Sequence, residues 1–451
     1  MGTLAAIAFR LLFFFKFRMI TYDSFVYGDI AKNWLQHGIY GLDQPPDPTF
    51  VRLPGYPMFI AALWSIVGVE HYNAILLVQI AVDVLTCFVI ADLARRLASQ
   101  TAAKVAFVLT ALCPFFANYT SAALTETLAI LFAAAAFDAA VAALEAPTKK
   151  IRWVICGLAL AAGILLRPDG GMLLMVIAAY SFVIAIRRRQ RTIFVGAVLA
   201  AFIALAPLIP WTVRNWRVFH VFQPLTTTTA SMPWEFVPHG FHRWTRTWIA
   251  DYSSVEDIWF KVDGEPISVG DLPRRAIDDE TQHIQTENLF AAYAENGNAI
   301  SPELDTQFNL LAELRIRSHP LRYYVGLPLL RAADLWLRPR TEMLPIDSHW
   351  WMLRQDDPPQ FRWAILLAAI NIGYILLALR ALLRNAIPYF MLFVSFMLLR
   401  TAFLAWMPNP EPRYVLECYP AIIALAACGL VSAIRPNSTT KFHRNHAIAN
   451  Q

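Results

Sequence analysis

Ten apolar stretches, each about as long as a single membrane crossing, constrain this chain more than any other feature. They lie near residues 2–20, 72–94, 105–122, 125–144, 152–167, 169–186, 193–213, 363–383, 386–407 and 413–434. Each approaches the ~20 residues that cross a hydrocarbon core of about 30 Å. Lipid offers no partner to a free backbone N–H or C=O, so such spans must be helical. The predicted fold class is therefore an all-α polytopic membrane protein. It has about ten transmembrane helices, interfacial helices in the first outer loop, and a mainly helical outer loop between helices seven and eight. Composition agrees: 57% of the 451 residues are hydrophobic and 16% charged, and the mean hydropathy of +0.45 exceeds what a soluble domain of this size needs for its core.

Basic residues set the orientation. Arg95, Arg96 and Lys104, then Lys149, Lys150 and Arg152, then Arg187, Arg188, Arg189 and Arg191, then Arg380 and Arg384, and last Arg435, Lys441 and Arg444 recur at alternate ends of the spans. Their excess marks those ends as cytoplasmic. Residues 21–71, 214–362 and the turns at 119–125, 167–171 and 408–412 then face outward. Lys16 and Arg18 sit at the outer end of the first span, where their long side chains can snorkel. The net charge of +5 thus reflects topology, and no nucleic-acid partner is expected. Cys87, Cys113, Cys156, Cys418 and Cys428 lie scattered in apolar segments without metal-ligand spacing. The hydrophobic N-terminus lacks a small-residue cleavage site and is expected to stay as the first helix. Four regions follow: a transmembrane module 1–213 with its outer loop 21–71, an extracytoplasmic region 214–362 with amphipathic helices, the C-terminal helices 363–434, and a cytoplasmic tail 435–451.

The unusual polar residues all fall on the outer side. In TYDSFVYGDIAKNWLQHGIYG, residues 24–37 read as a short helix lying on the membrane, ended by His37-Gly38. Asp23 and Asp29 are six residues apart on it, about 120° around the axis, so they cannot serve one point. Asp23 reads either as the N-cap of that helix or as a partly desolvated carboxylate able to take a proton from an arriving hydroxyl. Arg52, in the stiff turn of VRLPGYP, suits the phosphate of a lipid head group. Residues 53–69 are apolar but short, and read as a helix at the interface. Glu126 opens a span, Arg167 closes one before Pro168, Arg214 and Arg217 follow Trp211, and Glu411, Arg413 and Tyr414 stand at the outer mouth of the last span. Singly these residues fit helix-dipole or anchoring roles. Together, acids and arginines gathered on one outer surface fit a phosphate-linked substrate. In the large outer loop, helices are expected near 275–296 and 302–318. The second carries Leu304, Phe308, Leu311 and Arg315 on one stripe, and an amphipathic helix follows at 319–337.

In chain order the motifs are D-x-x-x-Y-x-x-x-A at Asp23, Tyr27 and Ala31, then HGIYG, R-x-P-G-Y-P at 52–57, LTETL at 124–128, LRP at 166–168, P-W-x-x-R-N at 210–215, SHP at 318–320 and E-x-R-Y at 411–414. This ordered set resembles the GT-C class of membrane glycosyltransferases, in the branch of aminoarabinose transferases, protein mannosyltransferases and rhizobial galacturonosyl transferases. The resemblance implies transfer of a monosaccharide from a polyprenyl-phosphate carrier to a lipid, glycan or protein acceptor, with inversion, on the outer side of the membrane; the compact architecture points to a bacterial inner membrane. It implies that Asp23 is the general base, with Glu126 and Tyr27 in support. Arg52, Tyr56, Arg167, Arg214, Arg413 and Tyr414 would bind the lipid phosphate or donor. No cofactor is required; some relatives use a divalent cation, and no metal-ligand cluster is evident here. Ser24 stands where many relatives carry a second acid. A transporter or flippase of lipid-linked sugars would place charges near the bilayer midplane and repeat its architecture. A glycan polymerase or ligase would differ in the size of the group moved.

Overall fold

The structure is a computed structural model that describes residues 2–227, 229–384 and 387–434. The expected cytoplasmic tail, with Arg435, Lys441 and Arg444, lies outside the described residues. Helices dominate. The sheet pairs two-residue strands, β1 (Gly41–Leu42) and β2 (Asp47–Pro48), in antiparallel register. Among the described residues, six helical segments are long and apolar enough to cross a membrane: Tyr72–Leu97, Glu126–Glu145, Pro168–Arg188, Arg191–Phe219, Pro358–Arg384 and Pro412–Ala433. The chain is an integral membrane protein.

The elements used below are α1 (Gly2–Lys16), α2 (Tyr22–His37), α3 (Gly55–Val67), α4 (Tyr72–Leu97), α5 (Gln100–Ala111), α6 (Pro114–Tyr119), α7 (Glu126–Glu145), α8 (Lys150–Leu166), α9 (Gly171–Arg188), α10 (Arg191–Leu205) and α11 (Leu208–Phe219). Beyond these come α12 (His239–Thr245), α13 (Glu280–Glu295), α14 (Pro302–Ser318), α15 (Leu327–Leu337), α16 (Pro358–Arg384), α17 (Phe390–Trp406) and α18 (Tyr419–Ile434). Each of the ten expected spans falls on helix. Two of them are interrupted. The span expected at 105–122 breaks after α5 because Pro114 has no N–H to continue the ladder and restricts Cys113 before it. The carbonyls left open are taken by Arg10 from α1, which donates to Thr110 O at 3.0 Å and to Ala111 O. Asp83 of α4 neutralises that fully buried guanidinium at 2.6 Å. The span at 193–213 is likewise divided at Ala206-Pro207, between α10 and α11.

Alanine-rich α7 lies at the centre, packed by α4 and α8, because small side chains let neighbouring backbones approach from every side. Its antiparallel pairing with α8 puts Glu126 and Arg167 at one end of the bundle. At the other end Arg96 of α4 joins Asp138 (2.7 Å) and Glu145 (2.9 Å) of α7. Asp138 is therefore an end charge with a partner.

The start of α3 is held against the end of α8. A Cβ on Gly55 would stand 2.6 Å from the Leu165 carbonyl oxygen, so the Pro-Gly turn after Arg52 has no room for a side chain. Gly55→Ala should lower stability by about 1–3 kcal/mol, read as a lower melting temperature of the purified protein. An unchanged melt would mean that α3 can slide on α8 at no cost.

The region between α11 and α16 folds around its own aromatic core, in which Phe241 and Trp244 of α12 pack on Phe308 of α14, with Trp248 and Phe290 beside them. Leu304, Phe308, Leu311 and Arg315 are all buried, as their spacing predicts. Arg315 ends its stripe in polar contacts, donating to Thr247 Oγ1 at 2.9 Å and to Arg275 O at 3.0 Å. The helix expected from 275 begins only at Glu280, because Asp279 caps it by accepting from Gln282 N at 2.8 Å. Arg331 of α15 links the region to the bundle, donating to Ile249 O (2.8 Å) and Ala405 O (3.2 Å).

Candidate functional site

Helix α2 does not use Asp23 as its cap. Thr21 holds that position in a reciprocal pairing with Ser24, and Gly38, at φ 70°, closes the other end. The Asp23 carboxylate, in the first turn, is left to contact its surroundings. Its Oδ1 lies 3.0 Å from Arg52 Nη2 and its Oδ2 lies 3.3 Å from Arg413 Nη2.

Arg52 comes from the bend before α3. Tyr40 fixes that bend by donating its hydroxyl to the Arg52 carbonyl at 2.9 Å, and the guanidinium lies over the Tyr27 ring at 5.7 Å. Arg413 comes from the 3-10 turn Pro412–Cys418 before α18, and its Nε is 2.6 Å from Glu411 and 3.8 Å from Glu126. Glu126 in turn pairs with Arg167 at 3.1 Å. Arg167 reaches Asp169 at 3.2 Å and Glu417 at 3.3 Å, and both of these meet Arg400 of α17 at 2.9 Å. Tyr414 lies between two of the guanidiniums, Arg167 at 4.7 Å and Arg413 at 5.3 Å from its ring, and donates its hydroxyl to Glu411 at 2.6 Å.

The arrangement is an alternating chain of carboxylates and guanidiniums leading from the surface into the bundle. Asp23 is its most exposed acid, with 27% of its side chain accessible against 4% for Glu126 and 6% for Glu411. Burial pushes its carboxyl up, but Arg413 and then Arg52 outweigh that and hold it below the ordinary carboxylate range. Burial raises the Tyr27 phenol to about 12, so Tyr27 can offer a proton in a hydrogen bond but cannot act as a base.

The structure thus brings together Asp23, Tyr27, Arg52, Glu126, Arg167, Arg413 and Tyr414. It does not bring in two expected donor ligands. Arg214 is turned to the loop between α2 and α3, where it donates to Tyr40 O (2.8 Å) and Thr49 O (2.7 Å) among the rings of Tyr40, Trp211 and Phe219. Tyr56 is fully buried, and its hydroxyl donates to Gln79 at 2.7 Å. Arg214 thus packs against that loop, and Tyr56 backs Tyr27 edge-on at 5.0 Å. Asp29 accepts from the Asp43 amide at 2.7 Å, outside the network. A groove of about 340 Å³ that includes Asp29, Lys32 and Trp64 lies on that other face of α2. Sequence reasoning missed Asp169, Glu417 and Arg400. A lone arginine within the apolar stretch FMLFVSFMLLRTAFLAW was the available signal. Among the described residues no three His, Cys, Asp or Glu side chains are grouped to hold a metal ion.

Residues 44–213 match the dolichyl-phosphate-mannose-protein mannosyltransferase family. Among solved structures, the archaeal oligosaccharyltransferase AglB from Archaeoglobus fulgidus, in complex with an inhibitory peptide and a dolichol-phosphate, aligns with 99% of this chain at 12% identity and a TM-score of 0.52. The chain shares the fold of that structure. It spans 52% of the length of that AglB structure. ArnT from Cupriavidus metallidurans, apo and bound to undecaprenyl phosphate, is 13% identical over 96% of this chain and 77% of its own, with TM-scores of 0.40 and 0.42. No curated protein matches the sequence. The family match to 44–213 covers α3 to α10, and so takes in Arg52, Glu126 and Arg167 of this network, while Asp23 and Arg413 lie to either side.

Proposed function

We propose that the chain is an inverting glycosyltransferase that moves a monosaccharide from a polyprenyl phosphate to a lipid, glycan or protein acceptor on the outer side of a bacterial inner membrane. The observation that carries this reading is the Asp23 carboxylate, the most accessible acid of its network, clasped by Arg52 and Arg413. The family matched by 44–213 is described by a dolichyl-phosphate sugar, and the AglB structure that shares the fold holds a dolichol-phosphate, which supports a polyprenyl-phosphate donor.

In the reaction Asp23 takes the proton of the acceptor hydroxyl, whose oxygen attacks the anomeric carbon from the face opposite the phosphate. The bond from that carbon to the phosphate oxygen breaks, and polyprenyl phosphate leaves with one more negative charge. Arg52 and Arg413 meet that charge as it develops, so they stabilise the transition state more than the ground state. Acceptor recognition falls to the outer region between α11 and α16.

In the donor-free protein the same two arginines make Asp23 a weak base. A phosphate arriving between them competes for their guanidiniums and brings its own negative charge, and both effects raise the Asp23 pKa. Donor binding therefore readies the base. The acid limb of the kcat profile should accordingly lie at higher pH than that of kcat/KM, which reports the free enzyme. Arg413→Gln removes the stronger of the two depressing charges and should move the kcat/KM limb upward. A limb unmoved by this substitution would separate Asp23 from the titration.

The reading is tested by incubating the purified protein with labelled polyprenyl-phosphate monosaccharides and membrane extract. Transfer with inverted anomeric configuration is expected. Retention, or no transfer from any donor, would remove the proposal.

A further inference from the structure

Four arginines gather at the end of the bundle away from the acid–guanidinium network. Helix α9 starts just after Asp169 and runs for 18 residues, about 27 Å, to Arg187 and Arg188. Arg189, at φ 50°, reverses the chain, and Arg191 opens α10. All four are exposed, and the sequence holds no acid between Asp169 and Glu235. Among the described residues none of the four forms an ion pair. Arg95 and Arg96, at the same end, are instead neutralised inside the protein, the first by Asp92 at 2.6 Å and the second by Asp138 and Glu145.

Positive charge at a helix end can orient a chain in the membrane with nothing bound to it. Here a groove adds to the charge. A space of about 150 Å³ opens between α9 and α10, lined by Phe182, Ala185, Ile186 and Phe194, with Gln190 and Arg191 at its polar end. Phe182, Ala185 and Ile186 share one face of α9 through their spacing of three and four. The Phe182 and Phe194 rings are half-exposed and stand 6.1 Å apart. Gln190 gives the first amides of α10 no side-chain cap, so the positive end of that helix dipole points the same way as the arginines in its charge. An apolar wall next to unpaired guanidiniums matches a molecule in which a phosphate is joined to hydrocarbon. A free phosphate would leave the groove empty. An acidic peptide would set polar backbone against two phenylalanine rings, and a zwitterionic lipid would bring a cation along with its phosphate.

We infer that the turn between α9 and α10 binds an anionic phospholipid, with its head group on Arg188, Arg189 and Arg191 and one acyl chain in the groove between Phe182 and Phe194. The lipid belongs to the leaflet away from Asp23. The inference stands apart from the transferase reading, since none of these residues belongs to the network around Asp23.

The full chain, purified in a neutral detergent, is titrated with phosphatidylglycerol and with phosphatidylcholine of the same acyl chains, and bound lipid is counted by native mass spectrometry. Wild type should hold one phosphatidylglycerol about 100-fold more tightly than phosphatidylcholine, roughly fivefold for each arginine at the head group. Arg188→Gln, Arg189→Gln and Arg191→Gln together should bring the two lipids near parity. Phe182→Ala with Phe194→Ala should weaken both lipids about tenfold and keep the preference, because the rings serve the chain and not the head group. Neither glycerol 3-phosphate nor a short oligoglutamate peptide should displace the lipid. All the replaced side chains are exposed, so melting temperatures should match wild type. Equal binding of the two lipids by wild type overturns the inference without any variant. Displacement by glycerol 3-phosphate or by the peptide, at the concentrations at which the lipid binds, would leave a simple anion or protein site and overturn it too. A double phenylalanine variant with wild-type affinity would reduce the arginines to an orienting charge, with the same result.

Discussion

Asp23→Asn is expected to lower single-turnover transfer about 10²- to 10⁴-fold, the usual contribution of a positioned general base. The amide keeps the size of the side chain and one oxygen for Arg52, so the fold and the turn at Thr21 should survive. It cannot take up a proton. Affinity for the donor should hold or rise, because the substitution removes the carboxylate that competes with the phosphate for Arg52 and Arg413. Loss of turnover with retained or tighter donor binding distinguishes a base from a ligand. Transfer at the wild-type rate would exclude Asp23 from the chemistry. A parallel loss of donor binding would make it a structural partner of the arginines.

Arg400→Met should cost about 3–5 kcal/mol of stability, the penalty for leaving buried charges without their partner. Arg400 is fully buried and lies 2.9 Å from both Asp169 and Glu417, and it also donates to the Tyr414 carbonyl at 2.6 Å. Methionine fills much of the same space, so the loss would come from electrostatics and not from a cavity. Adding Glu417→Gln to Arg400→Met should recover part of the loss, because one stranded carboxylate is then neutral. Thermal melts of the two single variants and the double variant measure this coupling. Strictly additive losses would mean that the pair does not interact.

The membrane helices were legible because a crossing leaves a long apolar signature in consecutive residues. Their interruptions were less so. Pro114 signals the break after α5, but that it is tolerated depends on Arg10 from another helix, a contact across 100 residues. The site divided in the same way. Asp23, Arg52 and Arg413 were legible because polar residues at the lips of apolar segments stand out, and helical spacing separated Asp23 from Asp29. Arg214 looked equivalent to Arg52, since both are arginines beside aromatic residues at an outer membrane edge. Only the folded loop reveals that its donors are filled by Tyr40 and Thr49 carbonyls. Tyr56 belongs to a motif next to a site residue, yet the first turn of α3 directs it to Gln79. Asp169 and Glu417 gain their meaning from Arg400, and no local pattern links three residues drawn from distant helices.

The contact between Asp23 and Arg413 joins residues 390 positions apart, from the first turn of α2 and the entry to α18. During synthesis α2 is made long before α18. Until then Asp23 has only Arg52, and Glu126 and Arg167 lack Arg413 and Glu417. The network is thus completed only when α18 joins the bundle, and a chain that stops short of it leaves Asp23 with Arg52 alone.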